Sequence, residues 1–532
     1  MDKKTLLAIV ISAVFLFAYP HIIKLISPPQ PAPQQAQRPA KAPVAAPRPE
    51  ATPVESGSRT RPRETITAKE ELTVVETPLY RAELTNIGGA VKKWELKNYR
   101  ASRAEGSALV DLVNTPNRET TFTTRLLSGS TAETVIFTPP AKKEIFLTTG
   151  DTSEVVFTAA TRGGLSFEKK YIFNAKNYNV STELRVKNTG DNPFDGYVET
   201  ALAAGFKMGG KKAYFHTGPL VRSDKTLVRI KKKEPSKSGS GNMLWVGLES
   251  KYFLTALVTS TKIPTNWFGE IASDNLERAA SQFAVKLSPG DTAVYNYRSF
   301  MGPKNYDLLL KEKHGLVEAI EFGFFAVMAK PMLVVLNFFE RYAGNYGIAI
   351  VLLTILIKII FYPLTKHSLK SMQGMKLIQP QLVAIKARYK DDKEKLNKEI
   401  MGLYKKNKVN PVSGCLPMIL QIPVFIALYE VLYVAIELRH APLFLWIQDL
   451  SAKDPYYITP IIMGASMFIQ QKMSPSSPDP TQAKMMLFMP VIFTVMFLNF
   501  PSGLVVYWLV NNLLSIAQQY QINRSHKAPA KA

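Results

Sequence analysis

The sequence predicts a two-part membrane protein, in which an all-β domain precedes an α-helical transmembrane bundle, with six spans in total. Three observations support this fold class. Polar and apolar residues alternate between about residues 66 and 300, as in the segment YNVSTELRVKN at 178–188. Long apolar segments follow beyond residue 315. A shorter apolar run at 5–19 follows Lys3 and Lys4, which is typical of a signal sequence or an anchor.

Composition limits the partners and the chemistry. Lysine and arginine number 66 against 42 aspartate and glutamate residues, which gives a formal net charge of +24. That charge alone indicates nucleic acid or anionic lipid, and the long apolar segments favour lipid. With the single cysteine Cys415, the sequence excludes an internal disulfide framework and a cysteine-based zinc site. The six histidines form neither an HExxH motif nor an i, i+4 pair. We therefore expect that the protein binds no metal or cofactor and is not an enzyme.

The N-terminal region is predicted to hold the chain to the membrane. Residues 1–27 are interpreted as an uncleaved transmembrane anchor, because no convincing small-residue cleavage site follows the apolar run. A cleaved secretory signal is the alternative. Residues 28–65 are rich in Pro, Ala, Gln and Arg and cannot bury enough apolar surface to fold, so we expect an extended linker.

Residues 66–315 are predicted to form a large antiparallel β-sandwich on the periplasmic side. Turn signals separate the alternating runs, at 86–89, 163–164, 188–192 and 288–290. The lysine run 231–233 and the MGGKK segment at 208–212 have no Walker or dinucleotide fingerprint around them. They are interpreted as solvated charged loops rather than phosphate sites.

Five apolar segments near the C-terminus are long enough, or nearly long enough, to cross a bilayer. They lie at 346–364, 415–436, 456–471, 485–500 and 503–519. Together they form a predicted helical core at 346–522, followed by a tail at 523–532. Three of the five have only 16 or 17 residues, so the bilayer is expected to thin around them.

The distribution of charge predicts the orientation of these segments. Segment 366–410 carries twelve Lys or Arg against four Asp or Glu, a net charge of +8, and is expected on the cytoplasmic side. With one crossing near the N-terminus, this orientation requires that the apolar segment 322–339 does not cross. We therefore predict that residues 316–345 form an amphipathic helix on the periplasmic leaflet. Both termini are then cytoplasmic, in a multi-pass protein of the inner membrane.

Residues 367–410 are predicted to form an antiparallel helical hairpin in the cytoplasm. Apolar residues recur at helical spacing on both sides of Asp391 and Asp392, whose side chains suit a helix N-cap. The hairpin offers a basic platform for ribosomal RNA, anionic lipid or a nascent chain. The basic residues selected are Lys376, Lys386, Arg388, Lys405 and Lys406. The alternative is a solvated loop that only sets the topology.

Lys358, inside the apolar run 348–362, is the strongest single indication of function. A cation near the centre of a spanning helix costs about 2.5–3.5 kcal/mol, so such residues usually face a bundle interior or a water-filled cavity. Thr354 lies one turn earlier on the same face, and Gln421 lies at a similar depth in the next span. The alternative for Lys358 is snorkelling towards the cytoplasmic headgroups near Lys366.

The last span contributes further polar residues at helical spacing. Trp508 and Asn512 are i, i+4 neighbours, with Asn511 and Ser515 beside them. With Lys358 they describe a groove that is polar on its cytoplasmic half and closed towards the periplasm. For each residue alone, an ordinary interhelical hydrogen bond is the alternative.

Several segments of the helical core resemble the YidC branch of the YidC/Oxa/Alb membrane protein insertases. The resemblance runs through 346–520 and is carried by VNPVSGCLPMILQIPVFIALY (409–429), ELRHAPLFLWIQDLSAKDPYYITPIIMG (437–464), QKMSPSSPDPTQAKMMLFMPVIF (471–493) and FPSGLVVYWLVNN (500–512). More loosely, NIGGAVKKWELKNY (86–99), WVGLESKYF (245–253) and FMGPK (300–304) are similar to the periplasmic β-supersandwich domain of Gram-negative members.

The resemblance implies a five-helix core with a positively charged groove, open to the cytoplasm and lipid. Carried over by motif, the groove residues are Thr354, Lys358, Gln421, Trp446, Tyr507 and Trp508. The family commonly has arginine where this chain has Lys358. The positive charge is therefore kept, but the planar guanidinium group with its five N–H donors is replaced by an ammonium group. Glu430 stands at a position that is usually aromatic, and the sequence offers no explanation for it.

The implied function is insertion and folding of nascent inner-membrane proteins, alone or with the Sec translocon. The implied partners are nascent membrane proteins, the Sec translocon, ribosome–nascent chain complexes and the lipid bilayer, with no small-molecule substrate. The residues alone also permit a transporter or channel for a small anionic solute, although no inverted repeat is visible between two sets of spans. A membrane-bound acyl or glycosyl transferase would need a catalytic constellation that the spans lack.

Overall fold

The computed structural model describes residues 68–116, 119–129, 131–205, 215–224, 226–259, 265–272, 276–390, 392–407, 409, 416–474 and 480–525. The predicted anchor at 1–27, the linker at 28–65 and the MGGKK segment therefore lie outside the described residues. So do Asp391, Cys415 and most of the tail at 523–532.

A large β domain occupies the first half of the described chain. Its strands are β1 Leu72–Glu76, β2 Tyr80–Thr85, β3 Ala90–Arg100, β4 Leu109–Asp111, β5 Thr123–Ser128, β6 Thr131–Thr134, β7 Glu144–Phe146, β8 Thr152–Ala160, β9 Leu165–Asn174, β10 Asn179–Asn188, β11 Phe194–Ala204, β12 Gly218–Ser223, β13 Leu227–Arg229, β14 Ser236–Gly241, β15 Met243–Glu249, β16 Phe253–Thr259, β17 Thr265–Ile271, β18 Glu277–Leu287 and β19 Thr292–Pro303. They form three sheets, ordered β4-β3-β2-β1-β7, β13-β12-β15-β16-β19-β10-β9-β8 and β14-β17-β18-β11-β5-β6.

One strand pairing departs from the predicted antiparallel arrangement. The short edge strand β7 pairs with β1 in parallel, whereas the other pairings between the described strands are antiparallel. A parallel pair needs a long crossover connection, and the five strands between β1 and β7 provide one.

The alternation in the sequence places one side of the long strands in the core, as in β9 and β10. In and just before β10, residues Tyr178, Val180, Leu184 and Val186 are buried, as their period-two spacing predicts. The predicted turns also occur. Gly164, in the predicted turn 163–164, has φ +77°, and a Cβ there would lie 2.8 Å from the Cα of Gly190 in the next predicted turn, so this position requires glycine.

The second half of the described chain is helical. The helices are α1 Tyr306–Lys311, α2 Ala326–Ala343, α3 Tyr346–Arg388, α4 Lys393–Lys406, α5 Leu416–Val434, α6 Ile458–Met473, α7 Pro480–Phe497 and α8 Ser502–Ser525, with 3-10 helices at Leu316–Ala319 and Ile436–Leu438. Helix α8 packs against α3 and α6, and α2 packs against α3 and α5. A large β domain followed by a helical region is thus the observed fold class.

Helix α3 corrects one predicted boundary. The sequence separated a span at 346–364 from a hairpin at 367–410, but α3 runs without interruption for 43 residues through Pro363 and Pro380. Proline removes a backbone donor, and helices tolerate it where side chains satisfy nearby carbonyl groups. Pro363 leaves the carbonyl oxygen of Ile359 without its helical donor, and the helix continues through this position. The first arm of the hairpin is therefore a continuation of the span.

The distal part of α3 and helix α4 pack on each other as the apolar spacing predicts. Ile378, Leu382 and Leu403 form a small buried cluster between them. The side chain of Asp392 accepts a hydrogen bond from the Lys395 backbone N–H at 3.0 Å, which confirms the predicted N-cap.

Length and apolar composition identify one described helix, α3, that can cross a bilayer by itself. Two shorter apolar stretches, Gln421–Val434 and Lys484–Phe497, lie in α5 and α7. The count of six spans and the orientation of the termini stay predictions.

Candidate functional site

Lys358 points between two helices. Its side chain is half-buried in α3, and Nζ donates a hydrogen bond to Oγ of Ser515 in α8 at 2.7 Å. Oγ of Ser515 in turn donates to the carbonyl oxygen of Asn511 at 2.7 Å. Among the described residues, no carboxylate pairs with this ammonium group. The cation therefore has a neutral partner on the neighbouring helix α8.

Further polar pairs continue the contact between α3 and α8. Nε2 of Gln518 donates to the hydroxyl of Thr365 at 2.8 Å, and Nε2 of Gln373 donates to Oδ1 of Asn523 at 2.6 Å. Residue numbers rise together along both helices, so the two helices run parallel. We call the three pairs Lys358–Ser515, Thr365–Gln518 and Gln373–Asn523 the polar seam. Sequence reasoning missed the last two pairs, although residues 358, 365 and 373 recur at the spacing of one helical face.

Thr354 does not reach Lys358. Its side chain is 1% exposed, and its hydroxyl donates to the carbonyl oxygen of Ile350 in the same helix at 2.7 Å. Threonine in a helix commonly forms this local bond. The two residues share a face of α3, but among the described residues no hydrogen bond joins Thr354 to the polar seam.

Three other predicted residues join helices to one another. Nε2 of Gln421 in α5 donates to the hydroxyl of Tyr507, which is buried in α8. Nδ2 of Asn512 donates to Oγ of Ser466 in α6 at 3.1 Å. These bonds fix α8 between α5 and α6, which is the interhelical alternative considered from the sequence.

Trp508 belongs to an aromatic layer. Its ring meets Phe425 edge-on with centroids 4.9 Å apart, and it stacks on Phe493 at 5.9 Å. Its indole nitrogen is buried without a hydrogen-bond partner in the described part of the chain. Phe425 was not selected from the sequence, where one aromatic residue in an apolar helix carries no distinctive signal.

Trp446 lies apart from Lys358, in the loop between α5 and α6. Its indole N–H donates to Oδ2 of Asp454 at 3.2 Å, and the same carboxylate accepts from the backbone N–H of Thr459 at 2.8 Å. Trp446 therefore stabilises the loop at the start of α6, and the structure does not bring it into the polar seam.

The basic residues selected in the hairpin are available to a partner. Lys376, Arg388, Lys405 and Lys406 are exposed and Lys386 is partly exposed. Within the described ranges, none of the five forms an ion pair. No cluster of three metal-ligating side chains occurs among the described residues either.

The β domain contacts the loop that follows α5. The carboxylate of Glu437 accepts from the Asn305 side chain at 2.9 Å and from the Tyr306 backbone N–H at 3.0 Å. The ammonium group of Lys251 lies 4.1 Å from the ring centroid of Tyr433. Burial lowers the pKa of Lys251 to about 8. These contacts join the β domain to the end of α5 that is opposite to Gln421.

Comparison with known families and proteins matches nearly the whole chain. A family model described as 60Kd inner membrane protein matches residues 338–530, and one described as YidC periplasmic domain matches residues 72–335. The membrane protein insertase YidC of Syntrophus aciditrophicus is 43% identical over 98% of this chain and 100% of its own length. That of Geobacter sulfurreducens is 41% identical over 99% of both chains. A crystal structure of an active YidC insertase, with its first transmembrane domain resolved, is 21% identical, covers 85% of this chain and 95% of its own, and gives a TM-score of 0.39.

Proposed function

The chain belongs to the YidC family of membrane protein insertases, and from that premise we propose that its polar seam receives the hydrophilic part of a nascent inner-membrane protein. An insertase needs no covalent chemistry, and the relatives are named for insertion rather than for an enzymatic reaction. Lys358 attracts acidic residues of the client, and the client's apolar helix leaves the seam into lipid.

The neutral partner of Lys358 carries this proposal. If a carboxylate inside the bundle paired with the lysine, it would neutralise the lysine's charge, and an acidic client would have to displace that carboxylate. Ser515 accepts one hydrogen bond from Lys358 without neutralising its charge. An acidic residue of a client can therefore bind the ammonium group without breaking an ion pair.

Short helices support the same mechanism. Helix α6 has 16 residues, which span about 24 Å against about 30 Å of hydrocarbon. A bilayer that thins around such a helix shortens the distance over which a polar segment of the client must move.

The interfacial position of α2 is part of the proposal. Val327, Val334, Phe338 and Tyr342 are exposed and repeat at intervals of four or seven residues, so they form one apolar face. We assign this face to the periplasmic leaflet, with both termini of the chain in the cytoplasm. The exposed basic side chains of the hairpin then face ribosome–nascent chain complexes, and cooperation with the Sec translocon belongs to the same proposal.

Reconstituted vesicles test the role of Lys358. We expect Lys358→Glu to lower the insertion rate of a client with an acidic translocated segment by about tenfold, which corresponds to about 1.4 kcal/mol. A client whose acidic residues are replaced by neutral ones should lose far less. Lys366→Glu, a charge reversal further along α3, is the matched control and should leave insertion nearly unchanged.

Full activity of Lys358→Glu with the acidic client would contradict the proposal. Release of a small anion from empty vesicles that depends on Lys358, without any effect on insertion, would support the rival function of an anion transporter.

A further inference from the structure

We propose that Glu430 is a positioning residue, which holds the start of helix α2 against helix α5. The inference deepens the proposed function, since it rests on α2 lying beside the insertase core at the periplasmic leaflet. It gives a role to an acidic residue that the sequence left unexplained.

The carboxylate of Glu430 lies at the start of a helix other than its own. Glu430 is in α5, four residues before that helix ends at Val434, and its carboxylate lies beside the backbone N–H of Phe325. Phe325 is the residue immediately before α2, and its own side chain makes no capping bond. The first N–H groups of a helix have no partner within the helix, and a negative charge there is stabilised by the helix dipole. The Glu430 carboxylate therefore lies where it can act as the cap that the Phe325 side chain does not supply.

Gly323 shows how closely the chain approaches this carboxylate. A Cβ at Gly323 would lie 2.1 Å from Oε1 and 2.6 Å from Cδ of Glu430, and the backbone there has φ +60°. Both the contact and the dihedral angle require glycine. The segment before α2 thus folds around the Glu430 carboxylate rather than passing it at a distance.

The β domain holds the segment just upstream. Nζ of Lys304 donates to the carbonyl oxygen of Ala319 at 3.2 Å, and Nη2 of Arg229 donates to that of Glu318 at 3.0 Å. A few residues later the chain reaches Glu430. The contact therefore lies where the polypeptide leaves the β domain for the bundle.

Helix α5 connects this contact with the site. Near its other end, Gln421 binds Tyr507 of α8, and α8 also carries Ser515, the partner of Lys358. Loss of the Glu430 contact should release the first turn of α2 and weaken its hold on α5. The Lys358–Ser515 pair would remain, so any loss of insertion would come from the changed position of α2 and α5 and not from a change of charge at Lys358.

A different role for Glu430 would depend on its charge alone. Its second oxygen, Oε2, is buried without a hydrogen-bond partner in the part of the chain that the structure describes. If Glu430 acted on a client electrostatically, Gln would be as damaging as Ala. If it acts as a cap, Glu430→Gln keeps an acceptor oxygen for the Phe325 N–H and should retain most of the function.

The test uses the full chain in reconstituted vesicles, with hydrogen–deuterium exchange of peptides covering residues 323–330. We expect Glu430→Ala and Gly323→Ala to speed exchange there by roughly fivefold, the effect of losing a helix cap, and Glu430→Gln to change it by less than about twofold. The control for strain is Gly344→Ala. Gly344 ends the same helix at φ +63° but has open space around it, so its variant should leave the start of α2 unchanged.

Insertion rates measured on the same vesicles complete the test. Insertion should fall several-fold in Glu430→Ala and Gly323→Ala and recover in Glu430→Gln. Unchanged exchange in Glu430→Ala would overturn the inference, and so would equal loss of insertion in the Ala and Gln variants. Because exchange is read without a client, a failure of the Lys358 proposal would not alter it.

Discussion

Lys169 in the β domain is buried and Lys358 in the helical bundle is half-buried, and neither has a carboxylate partner among the described residues. They differ in how many of their N–H groups are hydrogen-bonded. Lys169 is 0% exposed, and its ammonium group donates to the carbonyl oxygens of Phe122 and Gly88 at 2.6 and 3.4 Å and to the Thr124 hydroxyl at 2.9 Å. An ammonium group has three N–H donors, so that of Lys169 is fully used.

Lys358 uses one donor, to Ser515, among the described residues. Two N–H groups are left for water or for a client. The comparison shows that a lysine whose N–H groups are all hydrogen-bonded stabilises the fold, whereas a partly exposed lysine with unused N–H groups keeps the capacity to bind a partner.

The largest expected effect on stability comes from Lys169. Lys169→Met removes the donor to the Phe122 carbonyl oxygen and to the Thr124 hydroxyl, whereas the Gly88 carbonyl oxygen keeps the Thr124 backbone N–H at 3.0 Å. We therefore expect the free energy of unfolding of the β domain to fall by about 2–4 kcal/mol. A urea titration followed by hydrogen exchange of β9 peptides measures this. Lys170→Met, at the neighbouring position that faces Glu154 at 3.7 Å, is the control and should cost under about 1 kcal/mol.

The comparison would break if Lys358→Met destabilised the protein as much as Lys169→Met. The two lysines would then have the same structural role, and the spare donors of Lys358 would have no functional meaning.

A buried acid in the β domain gives the next largest effect. Burial, with the Glu249 carboxylate nearby, raises the pKa of Glu277 from 4.5 to about 8. The folded protein then keeps a proton that the unfolded chain releases. Its contribution to stability is complete below pH 4.5 and is lost as the pH rises through about 8.

We therefore expect the unfolding free energy of the unmodified protein to fall between about pH 5 and pH 8, by roughly 2–4 kcal/mol. Glu277→Gln should flatten this dependence, whereas Glu133→Gln, on an exposed edge strand, should leave it unchanged. Urea titrations at several pH values measure the slope. The same slope in Glu277→Gln would show that this acid does not hold a proton in the folded state.

The smallest effect is expected at Ser515, and it sharpens the comparison. Ser515→Ala keeps the charge of Lys358 but removes the acceptor that orients it, so insertion of an acidic client should fall by about two- to threefold. Ser474→Ala, at the end of α6, serves as the control. A loss as large as that of Lys358→Glu would mean that Ser515 itself binds the client.

Local patterns in the sequence predicted local structure well. The period-two spacing identified the buried side of β10, and Asp392 was found as a helix cap, because both depend on neighbours along the chain. Lys169 was missed although a signal existed: it lies in phase with the buried Leu165, Phe167 and Tyr171 of β9. A lysine on the inward side of an alternating strand indicates a buried ammonium group.

Contacts between distant segments were harder to predict. Helical spacing placed Thr354 beside Lys358, but its hydroxyl donates to the carbonyl oxygen of Ile350 in its own helix, and no bond to Lys358 forms among the described residues. Trp446 was selected by resemblance, and its position in a loop depends on Asp454, which no periodicity reveals. The cap that Glu430 provides joins residues about a hundred positions apart, so only the folded chain shows it.

The continuity of α3 has a mechanical consequence. One helix of 43 residues, about 64 Å long, carries Lys358 together with the basic residues Lys376, Lys386 and Arg388. A force applied by a bound partner at the C-terminal end of this helix would be transmitted along its axis to the position of Lys358. Bending would concentrate at Pro363 and Pro380, because each proline lacks the backbone N–H that the helical hydrogen bond requires.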